Sequence, residues 1–220
     1  MSVRAVVRAI AILILLGTAA SAAYAPASAS GATITFRKVF KSSFPEFVEI
    51  KIDETGSGTY DIRQLTDDAS TDAFQVGAPL AHRIFDLAGK LHNFDGVNLE
   101  AHHRIANLGE KTFRYDRGTE SHMVTFNYTL DDSGSQLLDA FEGIARQLND
   151  ASDLQHALRF DRLGVNDALL QIQKDLDAKL LPEPERLLPL LAQVSADQRV
   201  IDMARRRASD LAIRIQPAAR

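Results

Sequence analysis

The chain contains no cysteine and no run of apolar residues long enough to cross a bilayer. Without cysteine the protein forms no disulfides, so its fold depends on an ordinary apolar core. The longest apolar stretch, residues 9–17, is well short of the roughly 20 residues that span a membrane. Because no cysteine follows this stretch, lipid attachment by the lipoprotein route is also excluded.

Several catalytic and binding motifs are also missing. The sequence has no H-E-x-x-H, no paired C-x-x-C, no EF-hand loop, no G-x-S-x-G elbow and no glycine-rich phosphate loop. Acidic residues outnumber basic ones by 29 to 25. This balance argues against nucleic acid as a partner, since binding to phosphates needs a basic surface.

The N-terminus has the layout of a secretory signal peptide. Arg4 and Arg8 precede the apolar stretch at residues 9–17, and a run of small residues follows it. We expect residues 1–29 to form a signal peptide that is cleaved in the 20–30 region, which predicts a periplasmic or secreted protein with no membrane span after cleavage. An uncleaved anchor is the alternative, and the short apolar core argues against it.

Alternating apolar residues between positions 32 and 130 predict four or five half-buried strands. The first is ATITFRKVF, followed by a hairpin of EFVEIKI and GTYDIRQL and a second hairpin of KTFRYD and SHMVTFNYTL. Residues 66–76 and 93–108 are predicted to be polar loops. Each hairpin precedes a stretch of helical periodicity, so the pattern predicts an α+β fold with an antiparallel sheet built from two hairpin-plus-helix (ββα) units.

After residue 150 the alternation ends and only helical periodicity remains, which predicts a C-terminal layer of three to four helices. We expect residues 30–150 to form the sheet domain and residues 151–220 to form a helical region docked on it. Serine and glutamine in capping-box spacing predict three helix starts, at Ser133, Ser152 and Ser195. The clearest helical stripe begins at Val165, after Gly164.

The first candidate site is the face of the sheet opposite the apolar one. Lys51, Arg63, Arg114 and Asn127 fall on this face by strand alternation, and we predict that they bind a ligand or partner if helices cover only the other side. The alternative is an ordinary solvated face with cross-strand ion pairs.

The second candidate site is a histidine-rich loop. His92, Asp95, His102 and His103 bring nitrogen and oxygen donors together in a short stretch, and these donor types bind divalent metal ions. Their spacing matches no known metal motif. A solvated polar loop, with histidines that form local hydrogen bonds, is the alternative.

The sequence therefore favours an extracytoplasmic, non-catalytic binding or protein-interaction module that needs no cofactor. Its expected partner is an envelope or secreted protein, or a small ligand. The alternative function is a metal-assisted hydrolase that uses a divalent ion held by the loop from His92 to His103. A third possibility assigns oligomerisation or docking to the helical C-terminal region.

Overall fold

A computed structural model describes residues 31–41, 43–102 and 105–216. The predicted signal peptide lies outside the described residues. The described residues form six strands: β1 (Thr33–Val39), β2 (Phe47–Asp53), β3 (Ser57–Arg63), β4 (Asp72–Gln75), β5 (Glu110–Arg117) and β6 (Glu120–Phe126). The α-helices in the same ranges are α1 (Ala78–Lys90), α2 (Asp132–Phe160), α3 (Val165–Asp177), α4 (Leu188–Ala196) and α5 (Asp202–Ile215). Short 3-10 turns cover His92–Phe94 and Pro184–Leu187.

The strands form one antiparallel sheet in the order β4-β3-β2-β1-β5-β6. The predicted α+β class with a helical C-terminal region is therefore confirmed. Strand β1 lies at the centre, because it pairs with β2 on one side and β5 on the other. The first strand of the sequence thus joins the two predicted hairpins into a single sheet.

Strand β4 is an addition to the prediction, which assigned this segment to a polar loop. It pairs with β3, and the ring of Phe74 packs edge-on against Tyr60 with centroids 6.0 Å apart. The strand is only four residues long, and Phe74 is its one large apolar residue. Such a segment is too short and too polar to show a two-residue period.

Helices α1 and α2 belong to the core on one face of the sheet. At its centre Phe113 contacts four aromatic rings, with centroid distances from 5.3 to 6.0 Å: Phe36, Phe94, Phe126 and Phe141. Phe36 also stacks on Phe141 of α2, at 5.3 Å. Aromatic burial of this kind dominates the stability of such a core.

Helix α2 is continuous over 29 residues, whereas the sequence predicted two helices with starts at Ser133 and Ser152. Its N-cap is Asp131, whose Oδ1 accepts a hydrogen bond from the amide of Gly134 at 2.7 Å. Ser152 lies inside the helix, so its capping-box spacing is coincidental. The predicted start at Ser195 is also wrong, because this residue lies near the end of α4 and donates to the carbonyl of Ala192.

The length of α2 lets one helix serve two cores. Its first half packs on the sheet, and Leu154 and Leu158 in its second half join a separate apolar cluster formed with α3, α4 and α5. The stripe predicted from Val165 is confirmed as α3, with Leu169 and Ile172 buried in this second cluster. The boundary predicted at residue 150 falls within α2.

A buried polar contact links the two cores. The carboxylate of Glu183 accepts hydrogen bonds from the amide of Gly77 at 2.7 and 3.0 Å, directly before α1. Gln147 of α2 exchanges two further hydrogen bonds with the backbone of Glu183. The segment before α4 thus caps α1, where a carboxylate is favoured by the helix dipole.

Within the described ranges, no helix has both the length and the apolar composition needed to cross a membrane.

Candidate functional site

The open face, defined as the side of the sheet away from α1 and α2, includes the predicted ligand residues. Thr35 of β1 is the register partner of Lys51 in β2 and of Arg114 in β5. These two cations therefore flank the central strand, with backbones about 10 Å apart at the usual strand spacing. The side chains of both are exposed.

Arg63 serves mainly to hold the open face together. Its Nε donates to Asp61 at 2.9 Å, and its Nη1 donates to the carbonyl of Asp67 at 3.0 Å. The guanidinium also lies 4.6 Å from the ring centre of Phe47, with Arg37 at 5.2 Å. Because the two arginines lie over Phe47, this aromatic residue on a polar face is only 5% exposed.

The side chain of Asn127 is hydrogen-bonded to the backbone of the loop that precedes β5. Its Oδ1 accepts from the amide of Leu108 at 2.7 Å, and its Nδ2 donates to the carbonyl of Ala106 at 3.1 Å. Its backbone amide donates to Glu100 at 2.5 Å. The side-chain amide is thus already occupied by protein groups on both sides.

Arg114 and Lys51 are more available to a partner. Arg114 donates to Asp116 at 2.9 Å on its own strand, and Lys51 has no ion pair within the described part of the chain. Burial opposes ionisation of Asp116, but hydrogen bonds from Ser121 and Arg114 and the charges of Arg114 and Lys51 hold its pKa below the usual value. Of the four predicted residues, only these two offer exposed charge.

The predicted metal residues are not gathered into one centre in the described residues. His92 begins the 3-10 turn with φ of 51° and is exposed, as are Asp95 and His102. The carboxylate of Asp95 pairs instead with Nδ1 of His122 at 3.4 Å. His103 lies outside the described residues. Among the residues that are described, no group of three or more His, Asp or Glu is placed to hold a metal ion.

The loop that carries these residues follows the outer edge of β6. Asp95 contacts His122, the carboxylate of Glu100 accepts from the amide of Asn127, and Ala101 donates to the carbonyl of Tyr128 at 2.8 Å. The last two contacts are made with residues that follow β6, so the loop is attached beside the end of this edge strand.

A third site, which the sequence did not reveal, lies between the sheet, α2 and α3. We call it the junction cleft. Its volume is about 480 Å³, and its apolar part is formed by Phe36, Val48, Ile62 and Ala145. Its polar residues include Lys38, Glu142, Arg146, Asn149, Asp150 and Asp175. Both the volume and the mixture of an apolar surface with a few polar groups are typical of small-molecule sites.

The carboxyl groups of Asp150 in α2 and Asp175 in α3 form the buried part of this cleft. Each residue is 4% exposed. Asp175 accepts from Gln171 Nε2 at 2.7 Å and from Arg146 Nη1 at 3.5 Å, so its negative charge is compensated. Asp150 Oδ2 is buried and has no hydrogen-bond partner in the described residues.

This arrangement raises the pKa of Asp150 to about 7. Burial is the largest cause, followed by the charge of Asp175 and a hydrogen bond with it, and Arg146 acts in the opposite direction. Asp150 therefore holds a proton up to near-neutral pH. A carboxyl group of this kind in a cleft marks a candidate functional site.

The remaining charged side chains of the cleft, Lys38 and Glu142, form an ion pair with each other. Lys38 Nζ in β1 donates to Glu142 Oε1 in α2 at 2.7 Å. The one hydroxyl group among the described lining residues belongs to Ser43, and it lies 2.6 Å from the carbonyl oxygens of both Phe40 and Pro45. No histidine lines the cleft within the described ranges.

The chain matches no protein-family model, and no curated protein is significantly similar to it in sequence.

Proposed function

We propose that this protein is an exported, non-catalytic binding module, periplasmic or secreted, that holds a small ligand in the junction cleft. The observation that carries the proposal is the combination of an apolar surface with a buried carboxyl pair in a cleft of about 480 Å³. Convergent polar groups beside an apolar surface are the usual means by which a protein binds and orients a small molecule.

The composition of the cleft favours binding over catalysis. The Ser43 hydroxyl group is engaged with backbone carbonyls, and no histidine is present among the described lining residues to activate it. Nucleophilic catalysis needs a nucleophile with an adjacent base. The cations Lys38 and Arg146 are already paired with carboxylates, which fixes the shape of the cleft walls.

A nuclear magnetic resonance screen tests this proposal directly. Amide spectra of the protein are recorded with a set of small cations, anions and neutral compounds, and the variant Ala145→Leu is used to fill the cleft. We expect binders to shift resonances of cleft residues in the wild type and not in this variant. Ala192→Leu, at an exposed position of α4, is the matched control. If no compound shifts the cleft resonances, the proposal is wrong.

The open face supports a second candidate function, a protein-interaction surface. In the described part of the chain, the helices α1 and α2 cover one side of the sheet, and Lys51 and Arg114 are exposed on the other side. We expect a protein partner that binds here to be lost when both cations are reversed (Lys51→Glu with Arg114→Glu) and kept when the cleft is filled. A partner that binds both variants equally contradicts this surface.

The export part of the proposal rests on Arg4, Arg8 and the apolar stretch that follows. We expect N-terminal sequencing of the protein from expressing bacteria to find a new N-terminus within residues 20–30. Retention of the full N-terminal segment would contradict export by a cleavable signal.

A further inference from the structure

Asp150 has an unsatisfied acceptor in the junction cleft. Its Oδ2 is buried and lacks a hydrogen-bond partner in the described residues, although the residue lines the cleft. Buried polar atoms without partners are rare, and each one calls for an explanation. Protonated Asp150 shares its proton with Asp175, so the deficit arises when Asp150 is ionised, and a ligand that donates a hydrogen bond to the carboxyl group would then compensate for it.

The charges around the cleft identify the kind of donor. Lys38 is paired with Glu142, and Arg146 is paired with Asp175, so these four groups neutralise each other in pairs. Asp150 is the remaining ionisable carboxyl group that lines the cleft. Once Asp150 is ionised, the described part of the cleft carries one uncompensated negative charge, and a single positive charge on the ligand balances it.

The apolar residues of the cleft indicate what the uncharged part of the ligand is. Phe36, Val48, Ile62 and Ala145 provide an apolar surface, and Phe40 and Phe44 add aromatic rings. Apolar and aromatic side chains favour an organic group, and aromatic faces also attract cations. A bare metal ion fits poorly, because no group of three or more suitable donors is found in the described residues.

From these observations we infer that the junction cleft binds an organic cation, an amine carried on an apolar body, with Asp150 as the acceptor of the ammonium group. This inference rests on the proposed binding function of the cleft and names its ligand class.

Protons compete with such a ligand. Below about pH 7 Asp150 is protonated in the free protein, because burial, the charge of Asp175 and the hydrogen bond with it outweigh the opposing effect of Arg146. Asp153 on the same helix also raises the pKa of Asp150. Binding of a cation therefore releases a proton, and its affinity rises with pH until Asp150 is ionised in the free protein.

Three probes with the same phenyl body separate charge from shape: 2-phenylethylamine (a cation), 2-phenylethanol (neutral) and 3-phenylpropanoate (an anion). Calorimetric titration of the full chain at about pH 8, where Asp150 is ionised, gives their affinities. We expect the amine to bind with 1:1 stoichiometry, at least about tenfold more tightly than either of the others. Its affinity should weaken about tenfold for each unit of pH below about 7.

Asp150→Asn keeps the size of the side chain and removes its charge, and we expect it to weaken amine binding at least about tenfold and to abolish the pH dependence. Asp139→Asn, at an exposed position of the same helix, should bind like the wild type. Thermal unfolding verifies that both variants are folded.

If amine binding is unchanged in Asp150→Asn, or if the anion or the alcohol binds as tightly as the amine, the inference is wrong. Binding of the anion or the alcohol that is lost in Ala145→Leu would refute the ligand class and leave the binding function of the cleft intact.

Discussion

Gln147 and Glu183 exchange two hydrogen bonds between a side-chain amide and the backbone. Gln147 Nε2 donates to the carbonyl of Glu183 at 2.9 Å, and Gln147 Oε1 accepts from the amide of Glu183 at 3.1 Å. Both residues are buried, and the carboxylate of Glu183 caps α1 through Gly77. One glutamine in α2 thus holds the segment that links the sheet core to the helical core.

We expect Gln147→Ala to lower the free energy of unfolding by about 1–3 kcal/mol, because it leaves a buried backbone amide and carbonyl without partners. Urea denaturation measures the change. Gln136→Ala, at an exposed position of the same helix, is the matched control and should change stability by less than about 0.5 kcal/mol. Equal effects of the two substitutions would show that the contact with Glu183 does not contribute to the free energy of unfolding.

Replacing either of two glycines by alanine should change the stability of the protein, in opposite directions. A Cβ atom at Gly58 would lie 2.4 Å from the carbonyl oxygen of Lys51, so Gly58→Ala should destabilise the sheet by at least about 1 kcal/mol. A Cβ atom at Gly89 in α1 meets no atom within 4 Å, so Gly89→Ala should stabilise by about 0.5–1 kcal/mol. Thermal unfolding of both variants checks the signs. A stable Gly58→Ala protein would contradict the close approach of β3 to β2.

Asp150 should make stability depend on pH. Its pKa is about 7 in the folded protein and near 3.8 in the unfolded chain, so the folded state binds more protons between these values. The stabilisation is complete below about pH 4 and is lost as the pH rises to about 7. We expect Asp150→Asn to be more stable than the wild type at about pH 8, by one to a few kcal/mol. Denaturation across this pH range measures the difference, and parallel curves for the two proteins would contradict the raised pKa.

Metal analysis addresses the hydrolase alternative. Because the described residues form no group of three suitable donors, we expect the purified untagged protein to carry no stoichiometric metal. Elemental analysis compares the wild type with a His102→Ala, His103→Ala double variant and with His82→Ala, an exposed control on α1. Stoichiometric metal that is lost only in the double variant would support the metal-assisted hydrolase.

The sequence predicted the elements that have a strong period. The two hairpins and the stripe from Val165 were recognisable because apolar residues repeat at intervals of two or about 3.6. It missed β4, in which a single large apolar residue cannot establish a period. Capping-box spacing at Ser133 located the start of α2 to within two residues, although the N-cap is Asp131. It was misleading at Ser152 and Ser195, since this pattern is short enough to occur by chance.

The junction cleft was missed for a related reason. The sequence placed Asp150 at the boundary between the predicted sheet domain and the helical region, so its position on a buried helical face was not apparent. In the continuous α2 it lies three residues after Gln147 and four before Leu154, both of which are buried. An acidic residue at helical spacing on a buried face was the available signal. Asp175 has the same relation to Ile172 in α3. Their proximity depends on how α2 and α3 pack, and periodicity alone does not give that information.

Native mass spectrometry tests the central claim, that the junction cleft holds a small ligand, most directly. The protein is purified under non-denaturing conditions from the cells that express it, and its mass is compared with that of the denatured chain. We predict an added mass of constant size that is absent from Ala145→Leu and retained in Ala192→Leu. An added mass that persists in Ala145→Leu, or a wild-type protein that gives only the mass of its chain and gains none with any compound of the screening set, would contradict the account.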